Sequence, residues 1–97
     1  MANKQRGLVE VELDKVRHIR YTMNALAEIE DKLGYGLADL DGKQLKIKEV
    51  RAILWAGLIH EDPELTEEQV GEMIDLGNMQ YVQGKMAEAF EQAQVKN

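Results

Sequence analysis

Four side chains able to ligate a metal ion, His60, Glu61, Asp62 and Glu64, fall within five consecutive residues. A local metal site needs two ligands aimed at one ion, which on a helix means a spacing of four residues. Pro63 and the expected helix boundary break that spacing, so the segment reads as an acidic, solvated loop. The other histidine, His18, falls on an expected strand across from Glu12. Serine and cysteine are both absent, which excludes a serine or cysteine nucleophile and any thiolate or disulfide chemistry. Gly34 and Gly36, flanking Tyr35, would cradle a phosphate only between a strand and a helix, and here they punctuate a connection. These patterns point away from an enzyme, and no cofactor or metal is expected.

The acidic loop leaves the end of the most apolar segment of the chain, Ile47 to His60. At 100° per residue, Ile47, Val50, Ile53, Leu54, Gly57 and Leu58 share one helical face, while Ala52, Trp55, Ala56 and Ile59 cover most of the opposite one. A helix with no polar side over two turns has to be covered from several directions, which makes this the central core helix of a small domain.

Upstream, residues 8 to 13 alternate, with Val9, Val11 and Leu13 on one face and Glu10 and Glu12 on the other. Residues 17 to 21 put Ile19 and Tyr21 on one face. Keeping both apolar sets on the same side of an antiparallel hairpin pairs Val11 with Ile19, Val9 with Tyr21 and Glu10 with Arg20. That register leaves Asp14, Lys15 and Val16 as the loop.

Thr22 is placed to cap a helix over 23–33, with Tyr21 and Leu26 as its hydrophobic staple and Gly34 at the left-handed position beyond its end. A short turn is expected at Leu37 to Leu40, closed by Asp41-Gly42. The central helix is expected near 46–60. The clearest local signal follows it, because Thr66 and Gln69 form a capping box, Leu65 and Val70 a staple, and Glu67 and Glu68 complement the helix dipole. This predicts a last helical stretch over 67–93, broken around Gly77, with Met73 and Ile74 inward beside Val70. The expected core comprises Ile53, Leu54, Leu58, Leu26, Ile29, Leu33 and Ile74. The fold class is therefore α+β in a single domain over 1–97. A flexible N-terminus at 1–6 and a hairpin at 7–21 precede a helical bundle of three to four helices, with a mobile C-terminal end.

At 97 residues the chain buries about 60 to 65% of its unfolded surface, enough for one modest core, and self-association is a natural supplement. No apolar run approaches the ~18 residues needed to span a bilayer, and M-A-N-K-Q-R-G lacks the apolar region of a secretory signal, so a cytoplasmic protein is expected. The net charge of -6 is uneven: residues 60–97 hold nine acids against two lysines, while residues 1–59 hold nine acids against ten bases. The bases are interleaved with acids and form no stripe for phosphates, which speaks against nucleic acid.

Between Met79 and Ala93 a one-sided stripe of Met79, Val82, Met86, Ala89, Phe90 and Ala93 runs along the expected last helix. Such a stripe either packs inward or forms an adaptable binding surface. Met79, Val82, Met86 and Phe90, together with Trp55 on the second face of the central helix, are the candidate partner-binding residues.

Taken in order, G-L-V-E-V-E-L, T-M-N-A-L-A-E-I-E-D-K-L-G, V-R-A-I-L-W-A-G-L and L-T-E-E-Q-V-G-E-M-I-D, spanning residues 7 to about 76, resemble the small tail assembly chaperones of long-tailed phages, in the group related to gene transfer agents and prophages. Lys15 stands where such proteins tend to have a turn glycine. The resemblance implies a chaperone in the host cytoplasm that holds a tape-measure protein soluble while tail-tube subunits polymerise around it. Its implied partners are the tape-measure and tail-tube proteins and further copies of itself. A small bacterial adaptor binding one protein is the alternative. A tail-tube or tail-completion protein ranks lower, on the expectation that tube rings need a larger β-sandwich or barrel than one hairpin provides.

Overall fold

A computed structural model describes residues 8–34, 36 and 45–93. The elements are β1 (Val9–Glu12), β2 (Val16–Ile19), α1 (Met23–Leu33), α2 (Ile47–Leu58), α3 (Glu67–Gly71) and α4 (Met79–Ala93). The α+β class, with an antiparallel hairpin ahead of the helices, is as the patterning predicts. The turn expected at Leu37 to Leu40 and Asp41-Gly42, the flexible N-terminus at 1–6 and the last residues of the chain lie outside the described residues.

Helix α2 is the centre. Val50, Ala52, Ile53, Leu54, Ala56, Gly57 and Leu58 are all buried, and α1, α3, α4 and β2 pack around it. Ile47, expected on its inner face, is exposed in the first turn of the helix. Trp55 is half-buried, and its indole N–H donates to the Leu65 carbonyl at 2.9 Å. That bond gives a large ring set in an apolar wall a partner for its only polar atom.

Local signals set the helix ends. Thr22 caps α1 by accepting from the Ala25 N–H at 3.1 Å, and Gly34 ends it at φ 82°, where a Cβ would be strained. The Thr66–Gln69 capping box forms in full, with Thr66 Oγ1 accepting from Gln69 N–H and Gln69 Oε1 accepting from Thr66 N–H. The staple residues Leu65 and Val70 are both buried.

Three expectations are corrected. The hairpin pairs Val9 with Ile19, Glu10 with His18, Val11 with Arg17 and Glu12 with Val16, two positions from the expected register. A shift of two preserves the faces, so Val9, Val11 and Ile19 stay inside while Val16 joins the strand and Leu13 joins the loop. Arg17 lies on the inner side in either register, and in the observed one it stands opposite Val11. The helix after Thr66 ends at Gly71, well before the break expected around Gly77. Asn78, rather than Gly77, organises the break: its side chain accepts from the Asp75 N–H at 2.8 Å and donates to the Met73 carbonyl at 3.0 Å, while Asp75 Oδ1 accepts from the Asn78 N–H at 3.0 Å. The chain thus leaves one helix and enters the next with its backbone groups satisfied by one amide. Finally, Ile53, Leu54, Leu58 and Ile29 are fully buried as expected, but Leu26, Leu33 and Ile74 are only half-buried. Leu26 and Leu33 lie on α1, and Ile74 lies in the segment between α3 and α4, each packed against the core from its margin.

Candidate interaction surfaces

The candidate residues divide by depth. Val82 and Met86 are buried on α4, with Met79 and Phe90 half-buried beside them. Helix α4 lays this stripe on the inner face of the hairpin and on α2. Phe90 stacks on Tyr21, with ring centroids 4.2 Å apart and planes 14° from parallel. Tyr21 in turn donates its hydroxyl to the Ile53 carbonyl at 3.0 Å, a bond that ties the end of the hairpin to the middle of α2. Burial pushes the Tyr21 phenol above its ordinary pKa, so it remains a neutral donor. Of the two readings open for the stripe, the fold realises inward packing on its own chain. Trp55 lies apart, in the wall between α2 and the segment before α3, with the Lys32 ammonium 5.0 Å from its ring centroid.

The hairpin approaches α2 unusually closely at Gly57. A Cβ there would lie 2.6 Å from Ile19 Cγ2 and 3.0 Å from the Tyr21 ring, and the Gly57 carbonyl accepts from the Arg20 N–H at 2.9 Å. The glycine in W-A-G-L is therefore a contact point between helix and strand.

The acidic loop is largely exposed, as expected, and it also clamps β2. His18 donates its backbone N–H to Glu61 Oε1 at 3.1 Å, and its Nδ1 meets Glu61 Oε2 at 2.6 Å. A carboxylate only accepts, so the ring carries a proton on Nδ1. His60 Nε2 likewise donates to the His18 carbonyl at 2.8 Å. Arg17, buried on the inner face, forks onto Asp14 at 2.7 and 2.9 Å and reaches Asp62 at 3.4 Å. The Arg17 hydrogen bond holds the Asp14 carboxyl well below its usual range, at about 2, and Asp14 raises the guanidinium in return. Burial works to raise Glu61, but hydrogen bonds and charge from His18 outweigh it and leave that carboxyl below its ordinary value. Among the described residues no group of three or more His, Cys, Asp or Glu is placed to hold a metal. The signal missed in the sequence was the parity of Arg17 with Ile19 and Tyr21, which puts a charge on the apolar side of a strand and demands a counter-charge.

Among the described residues, the large apolar side chains left exposed are Val16, Met23, Ile47, Leu76 and Tyr81. Val16 lies on the outer face of the hairpin, with Tyr81 near its end: the Tyr81 hydroxyl accepts from the Glu12 N–H at 2.9 Å, opposite Val16 in the ladder. No helix among the described residues is long and apolar enough to cross a membrane.

Comparison with known proteins gives one informative result. No curated protein and no solved structure matches the chain. A family model described as phage tail tube protein, GTA-gp10, matches residues 6–95. This overturns the chaperone reading drawn from the resemblance, while keeping the phage-tail and gene-transfer-agent context. The low rank given to the tail-tube reading on the size of its sheet is corrected by the same match. Matched over nearly its whole length, the chain belongs to the phage tail tube protein, GTA-gp10, family.

Proposed function

We propose that the protein is a structural, non-catalytic subunit of a phage-like tail that works by associating with other tail-tube subunits, its own copies included. The observation that carries this reading is the family match over residues 6–95. The distribution of side chains supports it. The clusters of titratable groups, Arg17 with Asp14 and Asp62 and His18 with Glu61, are engaged in joining the hairpin to the loop after α2. Exposed apolar side chains remain on the outside for contacts between chains. As part of a tube that polymerises around a tape-measure protein, the subunit would touch that protein as well as its neighbours. Folding would precede assembly, in the cytoplasm of the host cell.

Quantitative mass spectrometry of purified tails from producing cells tests the proposal. A structural subunit remains in the finished tail in a fixed ratio to other tube components. Recovery of the chain only in the assembly-stage lysate, with none in finished tails, would overturn it.

A further inference from the structure

The two edges of the hairpin differ in what their backbone does. The His18 N–H and C=O point away from β1, one to Glu61 and the other to His60. Glu10 faces His18 in the register, so this is a pair whose backbone groups point apart, and those of Glu10 point outward from the opposite edge. Two residues on, the Glu12 N–H points the same way and is taken by the Tyr81 hydroxyl at 2.9 Å. Among the described residues, neither the N–H nor the C=O of Glu10 has a hydrogen-bond partner. On β2 the corresponding edge is closed by Gly57, His60 and Glu61.

We propose that the outer edge of β1, centred on Glu10, accepts an extended segment of another protein that carries Lys or Arg at alternate positions. An open edge offers backbone hydrogen bonds to any strand, and the side chains on the exposed face choose among strands. That face carries Glu10 and Glu12 on β1 and, across from them, His18 and the apolar Val16, so no Lys or Arg stands opposite either carboxylate in the ladder. A third strand with basic residues at alternate positions sets cations beside Glu10 and Glu12. A second copy of β1 would instead set Glu against Glu, which is destabilising for directly opposed residues. Tyr81 occupies the Glu12 N–H in the manner of a strand carbonyl, and its displacement would open a further backbone bond. The inference goes beyond the assembly reading and does not depend on it, since the occupant is defined by its own chemistry.

The test is a titration of the isotopically labelled full chain with a synthetic Lys-Val-Lys-Val-Lys-Val-Lys peptide, followed by amide shifts and exchange. Two control peptides are needed: one with the same residues in blocks and one with Glu in place of Lys. Shifts are expected at residues 8–12 and 81, with slowed exchange at the Glu10 amide. The alternating basic peptide should bind about tenfold or more tightly than either control. Tyr81→Phe, which frees the Glu12 N–H, should tighten binding further. Absence of binding would overturn the proposal, as would equal binding of the block peptide with shifts spread over residues 60–93. So would a Tyr81→Phe chain that binds no better than the wild type.

Discussion

The stripe on α4 and the outer face of the hairpin carry apolar side chains on neighbouring elements, yet the fold treats them oppositely. Val82, Met86 and Ala89 disappear beneath the hairpin, and Phe90 stacks on Tyr21. Val16 and Tyr81 stay 48% and 43% exposed within reach of Glu12. Tyr81 belongs to α4 itself, so one helix serves both regions. The contrast teaches that an amphipathic period tells which side of a helix is dry, but that the helix's neighbours in space decide whether its own chain or another keeps it dry.

The strongest way to break the comparison is Met86→Asp. If the stripe is core, an unpaired charge placed there removes most of the stability of so small a domain, with a loss above about 4 kcal/mol. Denaturant unfolding followed by circular dichroism would show it. Retained cooperative unfolding near the wild-type midpoint would mean that the stripe is not covered by the hairpin. Gly57→Ala comes next, because its Cβ would lie within 2.6 Å of Ile19 Cγ2. The strand must move or the helix must shift, at a cost of about 1–3 kcal/mol in the same assay.

The polar clamp adds a smaller effect with a sign. The folded pKa of Asp14 is depressed to about 2, so its contribution is complete above its unfolded value of roughly 3.9 and is lost as pH falls through about 2. Glu61 is depressed in the same direction. Both groups therefore make the fold lose stability on acidification, and Arg17→Met should flatten the acid limb of a stability-against-pH curve. The change should be modest, since the Asp14 side chain is 46% exposed and solvent screens the pair. Smallest of all is Val16→Thr on the outer face, which should stay within about 0.5 kcal/mol of the wild type in denaturant titration.

How much of this could be read beforehand varies by region in a physically intelligible way. The caps at Thr22, Gly34 and Thr66 and the buried ring of α2 were legible because each is decided by residues within one or two turns. The hairpin's faces were legible from alternation, but its register was not. A shift of two leaves every side chain on its face, so the alternation carries no signal that tells the two registers apart. Glycine punctuates by rule, so the sequence points to Gly77 for the break, whereas Asn78 makes it through specific bonds with Asp75 and Met73. A one-sided stripe marks a partner surface and a core helix at the edge of a small domain alike, so the sequence leaves Met79, Val82, Met86 and Phe90 open between the two. Function was legible to the level of the phage tail, and the family match replaced the chaperone reading with the tail tube.

Amide hydrogen exchange of the free chain, compared with the chain associated with its tail-tube neighbours, tests the central distinction most directly. Slow exchange is expected over residues 82–90 in both states, with new protection on association confined to outward-facing segments such as 8–16. Fast exchange of residues 82–90 in the free chain, with protection gained only on association, would contradict it and make the α4 stripe the assembly surface.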